Sequence, residues 1–123
     1  MTDRELLKLA AKAAGYESKW DQPRGAKYGR LRVNVGGGWP VWNPRDDDGD
    51  ALRLASVFCM DFRWDIADGE LRASCIQQGK LAHPCGGEEC EVFEPCAPEE
   101  CRSTAVYRRA TVNLAARIGR AMA

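Results

Sequence analysis

Four cysteines lie within seventeen residues in the stretch CGGEECEVFEPCAPEEC, from 85 to 101, as two near-copies of the pattern C-x-x-E-E-C. Paired thiolates are ligands that tetrahedral zinc prefers, and the neighbouring glutamates favour a cation. The candidate zinc ligands are Cys85, Cys90, Cys96 and Cys101, with His83 as an alternative ligand. Such a site would be structural, because four protein ligands leave no position open for water.

Two other interpretations of the same cysteines stay open. Oxidation would join them in disulfides, such as Cys85 with Cys90 or Cys85 with Cys101, whereas a reducing compartment would leave them as thiols. Cys59 and Cys75 occupy apolar positions at a helix end and in a strand, which predicts that both are small core residues.

A second group of candidate residues is the acidic run in WNPRDDDGDALRLA, residues 42–55. An EF-hand register with Gly49 at its sixth position would put Pro44 and Ala55 where oxygen ligands are needed, so this calcium site is excluded. The carboxylates suit a helix N-terminus, and they also form a candidate docking patch or weak Mg²⁺ site. The candidate interaction residues are Asp46, Asp47, Asp48 and Asp50.

Basic and aromatic residues alternate in KWDQPRGAKYGRLR, residues 19–32, a composition that can hold phosphates and stack bases. The whole chain, however, has 18 basic and 18 acidic side chains, whereas dedicated nucleic-acid binders usually carry net positive charge. A solvated loop is the prediction for this stretch, and nucleic acid is the less favoured partner.

The charges are sorted along the sequence. Residues 1–45 hold nine basic and four acidic side chains, and residues 46–68 hold two basic and seven acidic ones. A fold that separates these segments would present basic and acidic faces able to steer a charged partner. The favoured interpretation is that the oppositely charged segments attract each other within the fold.

Three helices are predicted to position these groups. Thr2 and Glu5 form the capping-box pattern T-x-x-E, and a helix over 3–14 would bury Leu6, Leu9, Ala10 and Ala13. A second helix follows the acidic run over 48–59, and a long third helix starts after Pro98.

Alternating apolar residues predict strands at 31–35, 62–66 and 71–75, with shorter strands at 39–44 and 91–94. The predicted fold class is α+β, an antiparallel sheet of four to five strands packed with three helices in the order α-β-β-α-β-β-(β)-α. With 123 residues, we expect a single domain over 1–123 that carries a cysteine-rich insert at 83–101.

The chain has no apolar run near the roughly 20 residues of a membrane span, so no membrane association is expected. Its first residues, MTDRELLKLAAKAAG, are acidic and helical in period, unlike a signal peptide. We therefore expect a cytoplasmic protein.

Three stretches resemble the phage ABA-sandwich domain family: MTDRELLKLAAKAAG, WNPRDDDGDALRLA and RRATVNLAARIGRAM. The resemblance implies helices that sandwich a sheet, a bacteriophage or prophage origin, and no established activity. The leading hypothesis is a non-enzymatic accessory protein in the bacterial host cytoplasm that binds a host or phage protein through a charged surface. A zinc-stabilised or metal-dependent enzyme centred on 83–101 is the alternative, and a weak nucleic-acid binder is the third option.

Overall fold

The computed structural model describes residues 2–34, 36–65, 67–76, 89–97 and 103–122. These residues form three helices and five strands in the order α-β-β-α-β-β-β-α, which confirms the α+β class. The elements are α1 (Asp3–Ala13), β1 (Ser18–Asp21), β2 (Arg30–Val33), α2 (Asp48–Val57), β3 (Asp61–Asp65), β4 (Glu70–Ile76), β5 (Glu89–Pro95) and α3 (Thr104–Ala121). His83, Cys85 and Cys101 lie outside the described residues.

The predicted capping box begins α1. The Thr2 backbone N–H donates to Glu5 Oε2 at 2.9 Å, and the Glu5 N–H donates to Thr2 Oγ1 at 3.2 Å. The buried side chains of this helix are Leu7, Ala10 and Ala11, so the predicted core face is rotated by about one position. The reason is tertiary, because α1 packs closely along α3 through small residues.

A glycine sets the distance between α1 and α3. Gly119 is buried in α3, and a Cβ added there would overlap the carbonyl oxygen of Leu9 in α1. Ala115 and Ala116 are also buried on α3. The two helix backbones therefore approach where small side chains leave room, as close packing of protein interiors requires.

The five strands are divided between two antiparallel sheets, where a single antiparallel sheet of four to five strands was predicted. β1 and β2 pair antiparallel with Trp20 opposite Leu31, and β3, β4 and β5 form an antiparallel sheet in that order. The predicted strand at 39–44 is reduced to one bridge between Arg32 and Val41. Pro40 is beside it, and proline has no N–H to extend a ladder.

Helices α1 and α3 lie between the two sheets. α1 contacts β1, β2 and α3, and α3 contacts β4 and β5 on its other side. One core cluster joins Leu7, Leu31 and Val112, and the other joins Leu71 and Leu114. The resemblance implies the reverse arrangement, a sheet between helices, so the described architecture adds no support to it.

The first two cysteines differ in environment. Cys75 in β4 is buried, as predicted, whereas Cys59 is exposed just beyond α2. Cys59 has a positive φ of 51°, so it ends the helical path instead of continuing its apolar face. Among the described residues, no helix is long and apolar enough to cross a bilayer.

Candidate functional site

The two described members of the cysteine-rich segment lie at opposite ends of β5. Cys90 is near its start, and Cys96 follows its last residue, Pro95. Six residues of extended strand span about 20 Å. The four sulfur atoms of a tetrahedral zinc centre lie only about 4 Å apart. A zinc site that uses both Cys90 and Cys96 would need a different path of the chain between them.

Cys90 is disulfide-bonded, while Cys59, Cys75 and Cys96 carry thiols. Cys90 is opposite Cys75 in the β4–β5 register and faces the core that α3 covers. The disulfide interpretation therefore applies to Cys90, and the zinc site stays a prediction.

The predicted acidic patch at 46–50 is largely used within the fold. Asp47 caps α2 by accepting the Asp50 N–H at 2.7 Å, and Asp50 accepts from Arg53 at 2.7 Å. Asp48 pairs with Arg108 of α3 at 2.5 Å, and Asp46 accepts from the Asn43 amide at 2.8 Å. These contacts fix the start of α2 to its neighbours. Asp48 and Asp50 are paired closely with arginines, whereas Asp46 and Asp47 accept from neutral groups and keep most of their charge.

A groove of about 340 Å³ opens between the start of α1 and the β1–β2 sheet. Its walls carry three arginines and three aromatic side chains. These residues are Arg4, Arg30, Arg45, Trp20, Tyr28 and Trp42. Asp3 and Asp46 complete its charged lining. The basic and aromatic stretch at 19–32 thus contributes a wall of a groove and a strand, where the sequence predicted a loop.

Trp20 connects α1 to the β1–β2 sheet at the groove. It projects from β1, where its backbone pairs with Leu31, and the Arg4 guanidinium lies 4.7 Å from its ring centroid. Gly29 lies so close to the indole that an added Cβ would overlap it. The first helix and the hairpin therefore meet at one aromatic ring, stabilised by a cation–π contact.

Some charged side chains in the groove or next to it form ion pairs with each other. Arg45 forms an ion pair with Asp3, and Arg32 donates to Asp21 at 2.8 Å, which lowers the pKa of that carboxyl. Arg30 is 3.8 Å from the same carboxylate, so it holds only the weaker contact.

Two further cations face aromatic rings: Arg4, which lines the groove, and Lys27, which lies beside the lining residue Tyr28. Arg4 lies over Trp20, and the Lys27 ammonium is 5.5 Å from the Tyr28 centroid. Neither cation makes an ion pair with any residue that the structure describes. Arg4 and Arg30 in the lining, with Lys27 beside it, give this side of the groove positive charge, while the lining carboxylate of Asp46 has only the neutral Asn43 amide as its partner.

A second cavity, of about 270 Å³, lies between α2 and α3 above β3. Its lining is mainly apolar and includes Leu52, Phe62 and Tyr107, with the Arg108–Asp48 ion pair at one side. Tyr107 is fixed there because its hydroxyl accepts from Trp64 Nε1 at 2.6 Å. This cavity offers apolar surface and no uncompensated charge from Asp48.

Three carboxylates meet at the turn between β3 and β4. Oxygen atoms of Asp65, Asp68 and Glu70 lie within 4.8 Å of one another. Asp65 also accepts the Asp68 N–H at 3.1 Å, as turn residues commonly do. Since exposed acidic groups of this kind are common without an ion, no metal site is assigned.

Sequence reasoning identified Trp20, Tyr28 and Arg30 as one stretch but missed Arg4 and Arg45 as their neighbours. Arg4 belonged to the predicted polar face of α1, and nothing local indicated that this face meets a hairpin. Comparison with protein-family models, curated proteins and solved structures finds no match for this chain.

Proposed function

We propose that this chain is a non-enzymatic binding module that holds a protein partner through the groove between α1 and the β1–β2 sheet. The observation that carries the proposal is the set of exposed, uncompensated cations beside aromatic rings, Arg4 with Trp20 and Lys27 with Tyr28. Arginine, tryptophan and tyrosine are enriched at the energetic centres of protein interfaces.

Binding suits the groove better than catalysis. General acid–base chemistry needs a titratable group that is positioned toward a substrate. In this groove Asp3 is occupied by Arg45, and Asp46 accepts from the Asn43 amide. The lining residues include neither cysteine nor histidine. The metal-dependent alternative at 83–101 gains no support from Cys90 and Cys96, which β5 holds apart.

A protein fits this groove better than a nucleic acid does. Single-stranded nucleic acids need several free aromatic faces beside a continuous basic track. Here Arg4 covers one face of Trp20, and the carboxylates of Asp3 and Asp46 also line the groove. The net charge of zero and sequence pI near 6.6 also disfavour phosphate-dominated binding.

The biological setting is part of the proposal. The resemblance of three stretches to a phage-encoded family supports a phage or prophage accessory role, with a host or phage protein as the partner and the host cytoplasm as the location.

The test is affinity capture from a bacterial host lysate with three forms of the full chain: wild type, Arg4→Glu and Arg63→Glu. Arg63 is an exposed arginine on β3, outside the groove, so its reversal changes net charge equally. The proposal expects a protein that wild type and Arg63→Glu retain and Arg4→Glu loses. Equal capture by all three forms, or turnover of a small molecule by the groove, would contradict it.

A further inference from the structure

We infer that the groove takes an acidic peptide segment that also carries an aromatic or aliphatic side chain. This inference rests on the proposed function, since it names the chemistry of the partner for the same site. It is carried by the unequal charge compensation of the groove and by the apolar surface that lies beside Arg4 and Arg30 in the groove lining.

The first argument concerns which charged side chains at the groove have a close partner of opposite charge. Asp3 is neutralised by Arg45, whereas Arg4 in the lining and Lys27 beside it hold cation–π contacts, and Arg30 holds only the longer 3.8 Å ion pair with Asp21. A carboxylate placed between these cations would gain charge-assisted hydrogen bonds that the isolated fold does not supply. Acidic side chains are thus the complementary ligands.

The apolar argument concerns two exposed side chains at the same groove. Tyr28 is 75% exposed and Val41 is 41% exposed, and both line the groove. Covering them with an aromatic or aliphatic side chain removes apolar area from water, at about 25 cal/mol per Å². A purely polyanionic ligand would leave Tyr28 and Val41 exposed to water. The partner is therefore expected to combine acidic and apolar residues.

The test is a titration of the full ¹⁵N-labelled chain with four synthetic probes, followed by the indole N–H signal of Trp20 and the backbone signal of Tyr28. The probes are a decapeptide that alternates Glu and Phe, its Lys–Phe counterpart, a Glu–Ser counterpart and ten-residue oligothymidylate. Each titration is repeated with Arg4→Glu and with the matched reversal Arg63→Glu, at low and high salt.

The Glu–Phe peptide is expected to shift both signals and to bind at least about fivefold more tightly than either peptide counterpart. One exposed ion pair contributes up to about fivefold in affinity, and charge reversal also adds repulsion, so Arg4→Glu should weaken binding of this peptide at least about fivefold. Arg63→Glu should leave its affinity unchanged. Stronger binding of the oligothymidylate, equal binding of the Glu–Ser peptide, or no shift at all would overturn the inference. If capture from lysate still depends on Arg4, the proposed function stands and the partner chemistry alone is wrong.

Discussion

The Arg4 guanidinium lies 4.7 Å from the centroid of the Trp20 ring, and this contact joins α1 to the β1–β2 sheet at the mouth of the groove. The two residues come from elements that share few other contacts. The groove therefore owes its shape to one cation–π pair as well as to the core beneath it.

Loss of this pair should cost measurable stability. Arg4→Gln removes the cation from an exposed ring and is expected to lower the free energy of unfolding by about 0.5–1 kcal/mol. Lys8→Gln is the matched control one helical turn further on, where the side chain is also exposed, and it should change stability by less than about 0.5 kcal/mol. Urea unfolding of both variants measures the difference, and equal effects would show that the Arg4 contact contributes nothing.

The approach of α1 to α3 predicts an unusual response to alanine. In an open helix, Gly→Ala stabilises by up to about 1 kcal/mol. Gly119→Ala should instead destabilise by about 2 kcal/mol or more, because its Cβ would overlap the Leu9 carbonyl oxygen and force the helices apart. Gly37→Ala, where an added Cβ meets nothing within 4 Å, is the control. A stabilised Gly119→Ala variant in thermal unfolding would refute the close crossing.

The Arg32–Asp21 pair predicts a pH dependence. The hydrogen bond from Arg32 lowers the pKa of Asp21 in the folded state. Its contribution should therefore be fully present above the unfolded-state value of about 3.9 and fade as pH falls through the lower folded value. The stability difference between wild type and Asp21→Asn should shrink below about pH 4. Asp61→Asn, at an exposed position of β3, is the comparison, and a difference that stays constant with pH would contradict the assignment.

The cysteines predict a pattern of alkylation. Without reductant, iodoacetamide should modify the exposed Cys59 first, modify Cys75 and Cys96 after unfolding, and spare Cys90 because of its disulfide. Peptide mass mapping reads each site. Modification of Cys90 in the unreduced chain would reopen the zinc and thiol interpretations. Alkylation of free thiols inside host cells extends the test. It shows whether the Cys90 disulfide also forms in the cytosol, where stable disulfides are rare.

Local signals in the sequence predicted the helices well. The Thr2–Glu5 box and the Asp47 cap act within three residues, so the starts of α1 and α2 were confirmed. The described α3 begins at Thr104 with Ser103 as its cap, whose Oγ accepts the Ala105 N–H, whereas the prediction placed the helix start after Pro98. Several polar residues near this position could act as the N-cap, and the sequence alone does not show which of them does.

The sheets and the groove were harder to predict because they depend on distant pairings. β1 is four residues long with no strict alternation in burial, so its signal resembled a loop. Splitting of the strands into two sheets depends on α1 and α3 lying between them, which no local pattern indicates. The groove likewise joins Arg4, Trp20 and Arg45, which are separated by a hairpin and a loop.

The most direct test of the groove is the affinity of the captured partner for three forms of the chain, measured by isothermal titration calorimetry. Interface arginines at energetic centres contribute about 2 kcal/mol or more. We predict that Arg4→Glu raises the dissociation constant at least about thirtyfold, while Arg63→Glu changes it by less than about twofold. Equal affinities of wild type and Arg4→Glu would contradict the assignment of this groove as the binding site.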